Sequence, residues 1–176
     1  MLVNHHGLKI PAPSRVELPV HWIGQGNHSQ WCWAACCAMI LTADAKPTTL
    51  YEAATKVLGD APDDEPVEPG EALTRAGLHW LQPPGDGGAP LTAKSLREQV
   101  IDGRKPAELY WQYNDDSKTG HVGLVSGYDS DTQTWRLLDP LHDQGWVTYD
   151  FLLTYNGAAR WENTFYAIGE SLGDPA

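Results

Sequence analysis

The apolar residues of this chain change period near Pro106, and that change constrains the fold more than any other feature. Before it, apolar positions recur every three to four residues, as on a helix; after it they alternate, as on a strand. The first half therefore reads as helices. One is predicted over residues 31–43, with Cys32, Ala35, Cys36, Met39 and Ile40 on one buried stripe. Thr49 with Glu52 three residues later is a capping box, opening a helix that runs to Leu58 and stops at Gly59. A short helix over 71–76 is closed by Gly77, and another over 93–102 has Thr92 as N-cap and Gly103 as its stop. The second half reads as strands at 107–113, at 121–128 and 134–138 (a hairpin around 129–133), at 145–148 and at 161–168, with a helical turn at 149–155. A short strand is also predicted over 16–23. A helical lobe packed on an antiparallel sheet is an α+β architecture, and the cleft between the two is a natural place for a site.

At 176 residues, the chain suits a single domain spanning 1–176, with an extended and mobile N-terminal segment at 1–20 and a tail at 169–176. The net charge of −11 argues against a nucleic-acid partner, whose phosphates would be repelled. No apolar run approaches the roughly 18 residues that span a bilayer, so no membrane association is expected. Residues 1–20 lack the apolar core of a secretory leader, which points to a cytoplasmic protein or one exported by a leaderless route. Six of the carboxylates fall within residues 60–71, among three prolines and no base. That segment reads as a solvated loop or, alternatively, as a docking surface for a basic partner protein.

The three cysteines, Cys32, Cys36 and Cys37, lie close together on one predicted helix. Neighbours on a helix do not meet disulfide geometry, and no distant cysteine exists to pair with them. Their spacing is not that of a zinc site, so neither a metal nor another cofactor is expected.

Chemistry concentrates at Gln30-Trp31-Cys32-Trp33-Ala34-Ala35-Cys36. A polar loop delivers Cys32 to the first turn of a helix, where unpaired N–H groups and the helix dipole favour an anion, the form in which sulfur attacks. The competing reading makes Cys32 one more small residue of a buried stripe. Cys36, one turn on, is read as buried, and Cys37 is given no role. Among seven histidines, His121 is singled out as the base, because it follows Gly120 and opens the apolar run 122–125 at the mouth of a buried strand. His28, just before Cys32, is its main rival. Closing the hairpin pairs residues whose numbers sum to roughly 262, which sets Asp139 opposite Gly123, diagonal to His121 and on the same face. A slip of one residue would send Asp139 to the other face. A carboxylate on one ring nitrogen leaves the other free to take the thiol proton. For the oxyanion, the Cys32 backbone N–H is one donor and a side-chain amide upstream a second; Gln25 is preferred over Gln30.

Together these residues resemble the papain-like cysteine peptidases, and more narrowly the compact bacterial branch that includes type III effector proteases and bacteriocin-processing peptidases. Cys32-Trp33-Ala34 is similar to the nucleophile helix of papain, and the longer run from Trp31 to Cys36 to that of the bacterial branch. Gly120-His121-Val122, Gly127-Tyr128-Asp129 and Leu138-Asp139-Pro140 are similar to its histidine and aspartate strands. The resemblance implies a papain-like fold over most of residues 20–168, protein or peptide substrates, and Cys32, His121 and Asp139 as nucleophile, base and orienting acid. One departure stands out. The oxyanion glutamine of that family lies four to six residues before the cysteine, where this chain has Gly26, Asn27 and His28, with Gln25 seven before; Asn27 is the other candidate.

Three functions compete at this level. The first is peptide-bond hydrolysis, with deamidation, transamidation and isopeptide cleavage open to the same residues. The second is a non-catalytic binding module on the same fold. The third is a thiol-redox or metal role for the cysteines.

Overall fold

A computed structural model describes residues 2–3, 9–10, 14–82, 90–115, 117, 119–143 and 145–168. The expectation for the tail at 169–176 lies outside the described residues, as does part of that for 1–20. Two short strands, β1 (Leu2–Val3) and β2 (Lys9–Ile10), pair with each other, and β3 (Arg15–Glu17) follows. Then come the helices α1 (Cys32–Ala43), α2 (Leu50–Leu58) and α3 (Pro69–Arg75), the strand β4 (His79–Leu81) and helix α4 (Ala93–Arg97). The second half holds β5 (Ala107–Tyr113), β6 (Gly120–Asp129), β7 (Thr134–Leu138), β8 (Gly145–Val147), α5 (Tyr149–Thr154) and β9 (Ala159–Ile168). The fold is α+β and papain-like: a helical N-terminal lobe against a seven-stranded antiparallel sheet in the order β4-β9-β5-β6-β7-β8, with β3 paired to β6.

Local chemistry explains most boundaries. The Thr49 hydroxyl receives the Glu52 amide while Glu52 receives that of Thr49, so the capping box of α2 is complete. Thr92 caps α4 through the Ser95 amide. Four expectations need correction. The helix expected over 93–102 is α-helical only to Arg97 and continues as a π-helical turn, Glu98–Asp102, which ends at Gly103. The strand expected over 16–23 covers only 15–17, because the chain bends at Pro19, just after the Leu18 amide has bonded to the Ser126 carbonyl, and runs on to place Trp22 on the Asp139 carbonyl. The helix expected at 71–76 starts earlier, at Pro69, which suits a first helical turn because its missing N–H has no partner there anyway. Last, α1 has no single buried stripe: every residue from Trp33 to Leu41 is buried, so this helix is enclosed on all sides.

The β6–β7 hairpin contains the detail that positions the site. Near its tip the register is Asp129↔Thr134 and Tyr128↔Trp135; beyond Ser126 it becomes Val125↔Leu137 and Leu124↔Leu138. A β-bulge at Ser126 has moved the pairing by one residue. Continued without the bulge, the tip register would set Asp139 opposite Leu124, on the face away from His121. With it, Asp139 follows Leu138 toward Gly123, on the His121 face. Gly123 leaves room for this: a Cβ there would lie 3.3 Å from both the Leu138 carbonyl and the Trp111 ring.

Candidate active site

Cys32 is the first residue of α1, whose N-cap, Trp31, makes no side-chain cap bond and whose first turn holds no acid. The amides of a first helical turn have no partner within the helix, so the Cys32 sulfur stands at the positive end of an enclosed dipole. It is partly exposed, whereas Cys36 and Cys37 are fully buried. Burial, and after it the charge of Glu108, pushes both of those thiols well up, which keeps them protonated.

The loop that delivers Cys32 is clamped by the acidic segment. Asp64 accepts the Ser29 amide at 2.8 Å, the Ser29 hydroxyl at 3.1 Å and the Gln30 amide at 2.9 Å. Although desolvation works against it, the bonds from Ser29 and Gln30 hold the Asp64 carboxyl below its ordinary range. The indole N–H groups of Trp31 and Trp33 donate to the carbonyls of Asp63 and Glu65, at 2.9 and 3.1 Å. His28, the rival base, stacks on Trp31 with ring centroids 3.6 Å apart.

His121 is the second residue of β6, paired with Trp111 on β5 and 2% exposed. Its Nε2 lies 2.8 Å from Asp139 Oδ1. Because Asp139 takes Nε2, Nδ1 is the nitrogen left to face Cys32, which lines the same cavity and whose influence raises the imidazole's pKa. Burial alone would lower the imidazole's proton affinity. The bonds to Asp139 and Cys32, with the charges of both, outweigh it and raise the pKa from 6.5 to about 9. Trp111 lies nearly parallel to the ring at 6.3 Å and Tyr155 packs at 5.5 Å. Trp111 is itself fixed by donation from its indole N–H to the Leu152 carbonyl at 2.6 Å. Gly120 admits no side chain, since a Cβ would stand 2.5 Å from the Trp111 carbonyl.

Asp139 is fully buried and its carboxylate is saturated with donors. Oδ1 accepts from His121 and, at 2.8 Å, from the Leu141 amide; Oδ2 accepts the Tyr155 hydroxyl at 2.6 Å. Desolvation would raise its pKa, but the bonds from His121, Tyr155 and Leu141 and the His121 charge bring it below the ordinary value. The Asp139 carbonyl accepts the Trp22 indole at 2.6 Å, which pins the chain after β7 to the segment leading to the cysteine loop. Tyr155 ends α5 in the left-handed region, at φ 45°, a conformation costly for a bulky side chain, and it is this residue that reaches Asp139.

Cys32, His121 and Asp139 are thus brought together. Gln25 is 3% exposed, and its backbone N–H is tied to the Pro140 carbonyl at 3.0 Å. Its side-chain Nε2 donates to the His28 carbonyl at 2.5 Å, while Oε1 is buried without a partner among the described residues. Gln30 instead lines the cavity beside Cys32. That cavity, of about 380 Å³, is bounded by Cys32 and Trp33, by residues 66–69, and by Tyr110, His121, Val122 and Phe165 of the sheet.

Sequence reasoning did not find Tyr155, Asp64, Trp111 or Trp22. Asp64 carried no local signal among six carboxylates, Trp22 and Tyr155 reach Asp139 from 117 and 16 residues away, and Trp111 meets His121 only through the pairing of β5 with β6. No curated protein matches the chain. The model of the Peptidase_C39 like family matches residues 17–168, a span that contains the helical lobe, the sheet apart from the start of β3, and Cys32, His121 and Asp139. This chain belongs to the Peptidase_C39 like family, a family of cysteine peptidase-like proteins.

Proposed function

We propose that the chain is a cysteine peptidase of a single papain-like domain, cleaving peptide or amide bonds through an acyl-enzyme. Its compact layout suits the bacterial branch of effector and bacteriocin-processing peptidases. Cys32 is the nucleophile, His121 the base and Asp139 the acid that orients the imidazole. The observation that supports this most is the His121 ring, bonded through Nε2 to a buried carboxylate and engaged with the Cys32 sulfur on its other side.

His121 takes the Cys32 thiol proton on Nδ1, and the sulfur reacts as the thiolate. The sulfur adds to the scissile carbonyl carbon, and the electron pair of the C=O bond moves to oxygen. The Cys32 backbone N–H and the second amide hydrogen of Gln25 receive that oxyanion. Collapse breaks the C–N bond as His121 delivers its proton to the leaving amine, giving a thioester and a free amine. Water, deprotonated by His121, then attacks the thioester and releases the carboxylic acid. Asp139 keeps one tautomer in place throughout and stabilises the imidazolium without taking its proton.

The test is alkylation of Cys32 by iodoacetamide or a peptidyl epoxysuccinate, located by peptide mapping, together with turnover of a mixed peptide library. Rapid labelling that is lost in His121→Ala, with turnover falling by about 10³-fold or more, is expected. Equal labelling in the wild type and that variant would refute the reading. Detection of new amino termini, as against ammonia, separates peptide cleavage from deamidation.

A further inference from the structure

The cavity beside Cys32 has an acid beneath its apolar walls. We propose that this cavity takes a basic side chain of the substrate, an arginine or lysine near the scissile bond, with Glu68 at its mouth and Glu108 just behind its sheet wall, on the same face as Tyr110 and Phe165. The proposal rests on the peptidase reading only for where that side chain lies relative to the bond cleaved.

Strand geometry puts Glu108 there. Residues i and i+2 share a sheet face, so Glu108 and Tyr110 point the same way. Their registered partners are Leu124 and Val122 on β6, and Phe165 and Asn163 on β9. Tyr110, Val122, Phe165 and Asn163 all line the cavity, so Glu108 lies on the cavity face of the sheet, one step deeper than Tyr110 and beside Phe165. It is 1% exposed, and its Oε2 has no hydrogen-bond partner among the described residues. Glu108 feels the charges of Cys32 and Glu68, both of which line the cavity. An unpartnered acid under apolar walls is costly unless a donor arrives.

The chemistry of the walls selects the donor. Val67, Pro66 and Pro69 with Val122 and Phe165 would pack along a methylene stem, as the stems of lysine and arginine pack on apolar surface. An apolar side chain would fit the walls but would seal the acid without a partner, and an acidic one would be repelled. A metal fits poorly, because among the described residues no group of three His, Cys, Asp or Glu is arranged to hold one. The mouth has the complementary charge: Glu68 lines the cavity, and among the described residues no base forms an ion pair with it. Burial and then the fields of Cys32 and Glu68 raise the pKa of Glu108 well above the ordinary carboxylate range; an entering guanidinium supplies the opposite charge that favours its ionised form.

The experiment uses the intact chain and peptidyl epoxysuccinates carrying arginine, norleucine or glutamate, each moved through the first three positions from the warhead. At one position arginine should accelerate Cys32 labelling over norleucine by roughly 10- to 100-fold, the range of one buried charge-assisted bond. Glutamate should be slowest. In Glu108→Gln the arginine-to-norleucine ratio should fall toward one, and in the exposed-site variant Glu68→Gln it should fall partway, with a weaker salt dependence. Iodoacetamide labelling in parallel reports the reactivity of Cys32 itself. Normal iodoacetamide labelling with no arginine preference at any position would overturn the proposal and leave the peptidase reading standing. Should Cys32 prove unreactive, titration of Cys32→Ser with acetyl-arginine methylamide and its norleucine counterpart decides the matter: tighter arginine binding upholds the cavity's assignment, and equal or weaker binding overturns it.

Discussion

Replacing Asp139 by Asn removes a charge from the site while leaving every hydrogen bond satisfiable. The side-chain carbonyl can take the place of Oδ1, accepting from His121 and the Leu141 amide, and the NH₂ group can take that of Oδ2, where the Tyr155 hydroxyl turns to accept. In the wild type, the surroundings of His121 raise its pKa from 6.5 to about 9, a preference for the imidazolium worth about 3 kcal/mol. The hydrogen bond to Asp139 is the largest raising influence, and the charge of Asp139 adds to it; Cys32 supplies the rest. In Asp139→Asn, His121 should therefore titrate at roughly 7–8, still held up by the thiolate but no longer by a carboxylate. The sign follows from which form acts. His121 must carry a proton to expel the amine, so turnover falls as pH rises through its pKa, and the alkaline limb of kcat/KM should move from about 9 to roughly 7–8. Proton NMR of the His121 ring gives the same titration without a substrate. The raised His121 pKa also contributes folding stability that is fully present below 6.5 and lost as pH rises through about 9; in the variant that window narrows from above. Asp139→Ala is the harsher control, because it leaves three donors without an acceptor in a fully buried position and should cost about 3 kcal/mol or more in denaturant unfolding. An Asp139→Asn protein whose His121 titration and alkaline limb stayed near 9 would refute this reasoning.

Tyr155→Phe removes one donor from the Asp139 carboxylate and should lower stability by about 1–2 kcal/mol in urea unfolding; no change would mean that the 2.6 Å bond contributes nothing. Asp64→Ala releases the Ser29 and Gln30 amides, and since Asp64 is exposed the loss should be only about 1 kcal/mol in Tm-derived stability. The larger effect should be on the rate of Cys32 alkylation, and an unchanged rate would deny the clamp any role in placing the cysteine. Ser126→Ala should be neutral or stabilising by up to about 1 kcal/mol, because the Ser126 hydroxyl is buried without a partner among the described residues; marked destabilisation would show that it has one. Because Asp139 titrates below its ordinary range, its contribution to stability is present above about pH 4 and lost as pH falls through its native value, which acid unfolding of Asp139→Asn against wild type can measure.

How much of this was legible in the sequence depended on how local each signal is. The α2 capping box needs only Thr49 and Glu52, three residues apart, and both of its bonds are present. Strand β5 matches its expected bounds, 107–113, because seven residues between a proline and a polar turn leave little choice. Strand β4 was missed: it has three residues, two of them exposed, and exists only through its pairing with β9. The hairpin sum near 262 held beside the site but not at the tip, because the bulge at Ser126 breaks the register, and a buried serine in an apolar run gives no warning of a bulge. The acidic segment 60–71 reads as a solvated loop; its carboxylates are exposed, but residues 69–71 open α3, with Pro69 buried, and Asp64 and the carbonyls of Asp63 and Glu65 hold the cysteine loop in place. That role depends on contacts about 32–35 residues apart, which no local pattern encodes. The same holds for Tyr155, whose left-handed backbone is set by the end of α5 and whose hydroxyl finds Asp139 across 16 residues.

The central claim is that one imidazole joins a sulfur on the helical lobe to a carboxylate on the sheet. A crystal structure of the chain inactivated by a peptidyl epoxysuccinate tests it most directly. A thioether on Cys32 Sγ, with His121 Nδ1 facing the adduct and Nε2 still on Asp139, is the expected result. An adduct on Cys36 or Cys37, or an adduct on Cys32 with the His121 ring turned away from it, would contradict the claim.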